Sequence, residues 1–151
     1  MQRITRAFPV VLAFAFASVA AHAGDIKYRP IPGSDDLPFS DAVQVGNLLF
    51  LSGKIGNVPG TRDLPEGIQA QTRQTMDNIQ ATLERLGASM SDVVKCTVFL
   101  ADMTEWGAMN EVYRTYFENP PARSALGANG LALGALVEIE CIAAVGDHPN
   151  R

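Results

Sequence analysis

A chain of 151 residues, 47% of them hydrophobic and 19% charged, is long enough to bury one real core and too short for two ordinary domains. Its net charge of −4 repels phosphate backbones and argues against generic nucleic-acid binding. Two cysteines and two histidines in no ligand spacing make a metal site unexpected.

Arg3 and Arg6, the apolar run Ala7 to Ala20 and the small-x-small triplet Ala21-His22-Ala23 have the layout of a secretory signal peptide over residues 1–23. The run falls short of the about 20 residues a membrane span needs, so cleavage is expected rather than anchoring. The product would start at Gly24 in the periplasm or outside the cell, with no further membrane association. Losing two arginines leaves 10 basic against 16 acidic residues, a net charge of −6. Residues 24–37, with Pro30, Pro32, Gly33 and the Asp35-Asp36 pair, read as an extended arm. Residues 38–147 form the domain and 148–151 a tail that holds His148.

Val43 to Ile55 is rich in β-formers, with a Gly46-Asn47 turn between two short strands. Pro59-Gly60 marks another turn. Ile68, Thr72, Met76, Ile79, Leu83 and Leu86 recur at steps of four and three, one face of a helix that Gly87 stops in a left-handed conformation. Val93 to Leu100 is a strand. Asp102 with Glu105 three residues on reads as a capping box opening a second helix. Its inward face is expected to be Trp106, Met109, Tyr113 and Tyr116 or Phe117, an aromatic stripe that packing alone would explain. Asn119-Pro120-Pro121 ends it, and Ser124 to Ala128 and Leu136 to Val145 are the last strands.

The order ββαβαββ gives an α+β fold with two helices on one face of a mixed sheet. Val94, Val98 and Leu100 cannot all pack on the same helices, so the other face needs a cover, and oligomerisation is the simplest one. Cys96 and Cys141 fall in mid-strand. Export permits a disulfide, but a bridge needs α-carbons within about 7 Å. Two buried thiols are therefore the first expectation and a bridge the second.

Several blocks in series resemble one known family. They are Pro38-Phe39-Ser40-Asp41-Ala42-Val43, Gly46 to Gly53, Glu66 to Gln74, Asp92 to Leu100, Asn110-Glu111-Val112-Tyr113, Pro121 to Ala125 and Val137 to Glu140. In this order and spacing, from about Pro38 to Val145, the chain is similar to the Rid/YjgF family of enamine/imine deaminases. The resemblance implies a chorismate-mutase-like homotrimer with three sites in clefts between subunits. It also implies hydrolysis of 2-imino acids such as 2-iminopropanoate and 2-iminobutanoate to 2-keto acids and ammonia, with no metal or organic cofactor.

Arg123 and Glu138 are the candidate catalytic residues. An arginine grips a planar carboxylate through two parallel hydrogen bonds, and Arg123 matches the family's carboxylate-binding arginine. Its plain alternative is a surface ion pair. Strand alternation puts Glu138 and Glu140 on one face and Val137, Ile139 and Cys141 on the other. The resemblance gives Glu138 the attacking water and leaves Glu140 structural; two solvated acids are the alternative. Phe39, Gly53, Asn110, Ser124 and Ala125 are the candidate substrate-binding residues. Phe39 would wall the ligand, Gly53 would admit its close approach, Asn110 would reach across the cleft, and Ser124 and Ala125 would offer backbone groups. Three departures stand out. Phe39 lacks the hydroxyl of the tyrosine common in relatives, Ala125 lacks the thiol some carry, and Lys54 replaces a usual glutamine. The loop Asn129 to Gly134 also lacks the family's proline.

Three rival readings remain: a non-catalytic binder of small carboxylates in the same cleft, RNA cleavage, and a secreted interaction protein. The acidic surface and the lack of a histidine in the domain count against RNA cleavage.

Overall fold

The computed structural model describes residues 25–34 and 36–146; the expected signal segment, Gly24, Asp35 and residues 147–151 lie outside the described residues. Seven strands and two α-helices follow one another as β1 (Ile26–Arg29), β2 (Ala42–Val45), β3 (Leu48–Leu51), β4 (Lys54–Ile55), α1 (Ile68–Arg85), β5 (Val93–Leu100), α2 (Trp106–Tyr113), β6 (Ala122–Gly127) and β7 (Val137–Ala144). The strands form one sheet in the order β1-β2-β3-β7-β5-β6, with β4 also paired to β7. Only the β5–β6 pair is parallel, with α2 in the crossover between them. The expected succession therefore runs from β2 to β7. The arm adds β1, whose Ile26 and Arg29 pair with Val45 and Ala42.

The β2–β3 hairpin turns on Gly46, whose φ of 58° suits a two-residue loop. Past Leu51 the strand is interrupted. Phe50 pairs with Ile142 but Lys54 with Ile139, so four steps on one strand oppose three on β7. That extra residue is a bulge at Ser52-Gly53, the kind of irregularity that re-aims backbone beside a site.

Helix α1 buries the periodic residues Ile68, Thr72, Met76, Ile79 and Leu83 on the sheet. Gly87 takes φ 79°, as the helix stop requires. Against α1 lie Cys96, Val98 and Leu100 of β5 and Val137, Ile139, Cys141 and Ala143 of β7. Polar residues also enter this face, and two of them have defined partners. Thr72 Oγ1 donates to the Ile68 carbonyl at 2.7 Å, and Gln71 donates to the Pro65 carbonyl and accepts from Leu136 N–H. Gly56 lies so close to α1 that a β-carbon there would stand 2.5 Å from the Gln71 carbonyl oxygen. Asn78 donates to the carbonyls of Ile55 and Asn57, which ties α1 to β4.

Two expectations are corrected here. Cys96 and Cys141 are joined in a disulfide rather than held as free thiols. They are direct partners in the antiparallel β5–β7 register with α-carbons 4.1 Å apart, and both face α1. Pairing register, which the sequence does not reveal, is what brings them together. Trp106 is not core: it is 45% exposed, while Met109, Val112 and Tyr113 are buried. The Asp102 side chain caps a 3-10 turn at Met103–Glu105 by accepting from Thr104 N–H. Those hydrogen bonds lower the Asp102 pKa. Helix α2 therefore starts only at Trp106.

Among the described residues nothing covers the sheet's other face. Val98 and Leu100 belong to the helix side, whereas Phe50, Val94 and Leu126 are at least 40% exposed. Phe50, Lys95, Thr97, Glu140 and Ile142 line a shallow cavity of about 180 Å³ on this open face.

Candidate active site

Arg123 sits near the start of β6, directly after Pro120 and Pro121 fix the backbone's approach. In the parallel register it pairs with Cys96, which places it on the helix side of the sheet. There Trp106, Asn110 and Tyr113 present themselves together, since steps of four and three keep residues on one helical face. Arg123 Nη1 donates to Asn110 Oδ1 at 2.6 Å. Its guanidinium carbon lies 4.7 Å from the Tyr113 ring centroid and 5.8 Å from that of Trp106. Cation–π attraction of this kind is worth about 0.5–2 kcal/mol per pair, more as water is excluded. The arginine is thus fixed in direction before any ligand arrives.

Burial pushes the Tyr113 phenol up to about 12, with the Arg123 charge opposing. The ring is neutral at ordinary pH. Its hydroxyl is buried with no hydrogen-bond partner among the described residues. Beside Arg123 opens a cleft of about 350 Å³, whose walls include Asn110, Tyr113, Phe117, Pro120 and Pro121.

Glu138 is on β7, opposite Phe99 and Ile55, and so on the open face. Its carboxylate lies over Gly53. A β-carbon at Gly53 would overlap Glu138 Oε1 and come within 2.9 Å of the carboxyl carbon. The absence of a side chain at Gly53 leaves the room that this approach of Glu138 takes up. Phe39, 53% exposed, belongs to the segment that lies against the same bulge. Ser52 Oγ donates to the Ser40 carbonyl at 2.6 Å, and Ser52 N–H to the Asp41 carbonyl at 3.0 Å.

Lys54 now has a partner. Its ammonium and the Arg85 guanidinium both pair with the buried Asp41 carboxylate. Two cations compensate one buried anion, and the pairing ties the Phe39–Asp41 segment, the bulge and the end of α1 into one unit. Ser124 and Ala125 divide between the faces. Ser124 is exposed and its hydroxyl accepts from Lys95 at 2.9 Å, while Ala125 aligns with buried Val98. Because β6 ends the strand order, its outer edge leaves backbone groups without a strand partner among the described residues.

The candidates therefore form two half-sites. Arg123, Asn110 and Ala125 lie on the helix side; Phe39, Gly53 and Glu138 gather around the bulge, with the carboxylate on the open face. Strand β5 separates Arg123 from Glu138, so one chain does not bring them onto a common ligand. Sequence reasoning missed Tyr113 and Trp106 as a platform for Arg123 and Asp41 as the anchor of Lys54. The available signal for the platform was the i, i+4, i+7 relation of Trp106, Asn110 and Tyr113. No cluster of three metal-ligating side chains occurs among the described residues.

Comparison with known proteins places this geometry. A family model described as "Endoribonuclease L-PSP" matches residues 34–145. A RutC family protein of Pyrococcus horikoshii is 47% identical over 108 residues, covering 70% of this chain and 86% of that protein. The 2-iminobutanoate/2-iminopropanoate deaminase of Mus musculus is 41% identical over 111 residues, covering 72% and 82%. The crystal structure of RidA from an Antarctic Psychrobacter is 39% identical, with a TM-score of 0.70 over 78% of this chain and 94% of its own.

Proposed function

This chain belongs to the Rid (YjgF) family, and on that footing we propose that it is a hydrolytic deaminase converting 2-imino acids and their enamine tautomers to 2-keto acids and ammonia. The observation that carries this reading is Arg123, held by Asn110 and stacked on Tyr113 at the edge of a cleft. An aligned guanidinium fork is suited to a planar α-carboxylate. The deaminase names of relatives near 40% identity support the same chemistry.

With the carboxylate on Arg123, C2 of the imine lies at a fixed distance from the guanidinium. Glu138 accepts a proton from a water as its oxygen attacks C2, giving a carbinolamine. The carboxyl passes that proton to the nitrogen, then takes the hydroxyl proton of the carbinolamine and delivers it to the same nitrogen as the C–N bond breaks, so that ammonia and the 2-keto acid leave. Such imines hydrolyse without a catalyst, so positioning and proton transfer account for a modest acceleration. Since Arg123 and Glu138 lie on opposite faces of one sheet, the reading requires a second copy. The proposed assembly is a homotrimer in which Arg123 of one chain and Glu138 of its neighbour share each cleft. The uncovered sheet face supports this.

Residues 1–23 are proposed to direct export and to be removed after Ala23. Mass spectrometry of periplasmic material is expected to find Gly24 as the first residue; intact Met1 in a membrane fraction would sink the proposal.

The deaminase reading is tested with an amino-acid oxidase generating imine and semicarbazide trapping it. Added protein should lower the semicarbazone yield and speed 2-keto acid formation. One set of observations favours a second reading, a carboxylate binder without turnover: Phe39 has no hydroxyl and Ala125 no thiol to assist proton transfer. Unchanged imine lifetime together with saturable 2-keto acid binding would establish that alternative.

A further inference from the structure

Resting on the deaminase reading, the geometry points to a preference within it: the cleft beside Arg123 is a side-chain pocket for branched or aromatic 2-imino acids rather than for three- and four-carbon ones. The cleft measures about 350 Å³, within the roughly 300–1,000 Å³ typical of pockets for drug-sized ligands. A methyl or ethyl side chain on an Arg123-bound carboxylate fills only part of the cleft that one chain forms.

The walls are apolar and stiff. Pro120 and Pro121 line one side and have almost no side-chain freedom to lose on binding. Tyr113 and Phe117 form the other as a tilted pair with ring centroids 5.0 Å apart, a geometry aromatic rings favour. The charged and amide side chains of the lining are Arg123, Asn110 and Arg114. Arg123 has one nitrogen committed to Asn110 and one face over Tyr113, which leaves its remaining N–H groups for a carboxylate. Arg114 stands exposed at the rim. A charged end and an apolar body match a ligand with a carboxylate at one end and a hydrocarbon group at the other.

Burying one methylene contributes about fourfold in affinity. Three additional carbons, as in the leucine-derived imine against the alanine-derived one, should therefore give at least about tenfold even with incomplete burial.

The test is a substrate series on the unmodified protein, using imines generated from alanine, 2-aminobutyrate, leucine and phenylalanine. In parallel, calorimetry measures binding of pyruvate, 4-methyl-2-oxopentanoate and phenylpyruvate. The expected result is kcat/KM at least about tenfold higher for the leucine or phenylalanine imine than for the alanine imine, with keto-acid affinities in the same order. Phe117→Leu should narrow the difference by lowering the aromatic value more than the alanine value. If the alanine imine is hydrolysed as fast as or faster than the larger ones, the pocket inference fails and the deaminase stands. If no imine is hydrolysed, the deaminase reading fails and the keto-acid series decides the pocket: tighter phenylpyruvate upholds it, equal or weaker binding overturns it.

Discussion

Arg123 owes its posture to three side chains of one short helix. Asn110 fixes a nitrogen and the Tyr113 and Trp106 rings each offer a face, so the guanidinium is held in one direction. Replacing Arg123 with alanine removes a charge-assisted contact of roughly 1.5–3 kcal/mol, and more where water is excluded. The expected loss in kcat/KM is about ten- to a hundredfold or greater, at about 1.36 kcal/mol per tenfold. Arg123→Lys should recover little, because the ammonium keeps the charge and loses the fork. Steady-state kinetics on both variants check this; wild-type rates for Arg123→Ala would refute the clamp. Tyr113→Phe offers a contrasting case. It keeps the ring under the guanidinium and removes a buried hydroxyl that lacks a partner. Activity should be unchanged and stability equal or about 1 kcal/mol higher. A marked loss of either, read by kinetics and urea denaturation, would mean that the hydroxyl does have a partner. Arg123 was legible in the sequence because a proline pair and a family block frame it. Its aromatic platform was not, since a stripe at helical spacing looks the same whether it packs a core or a cation.

The bulge between β3 and β4 is the element that sets Glu138. Gly53 leaves room for the carboxylate, and Asp41, paired with Lys54 and Arg85, holds the bulge to the Phe39 segment. Gly53→Ala should cost little stability, because the atom it displaces first is the far end of a flexible side chain. It should lower kcat/KM at least about tenfold by moving the carboxylate proposed as the general base. Unchanged kinetics in a folded Gly53→Ala protein would dissociate Glu138 from the chemistry. The β5–β7 pair carries the Cys96–Cys141 bridge across a separation of 45 residues. Loop closure of that length corresponds to about 4 kcal/mol in the chain-entropy model and typically 2–4 kcal/mol in practice. Dithiothreitol or a double serine variant should therefore lower the denaturation midpoint clearly; identical midpoints with and without reductant would contradict the bridge. The periodic face of α1 and the strand of Cys96 follow from residue spacing. The pairing of β1, the split of β3 from β4 and the partnership of the two cysteines depend on register, which no local pattern encodes.

Across the whole molecule, two features call for further copies of the chain. The open sheet face carries Phe50, Val94 and Leu126, each at least 40% exposed, with Lys95 and Glu140 among them, and an apolar patch of this kind marks an interaction surface. The two half-sites, moreover, face away from each other. The sequence anticipated an uncovered face from its count of two helices against a sheet, and the family resemblance supplied the trimer. It could not reveal that Arg123 and Glu138 fall on opposite faces, because that depends on the parallel β5–β6 pairing. Light scattering should give about three times the chain mass at micromolar concentration. A stable monomer would remove the shared site. The central claim, that one cleft joins Arg123 of one copy to Glu138 of the next, is met most directly by complementation. Arg123→Ala and Glu138→Gln proteins, each strongly impaired alone, are dissociated together, reassembled and assayed for imine hydrolysis. Random trimers with shared sites should recover up to about a quarter of wild-type activity. No recovery in reassembled mixed trimers would contradict the account.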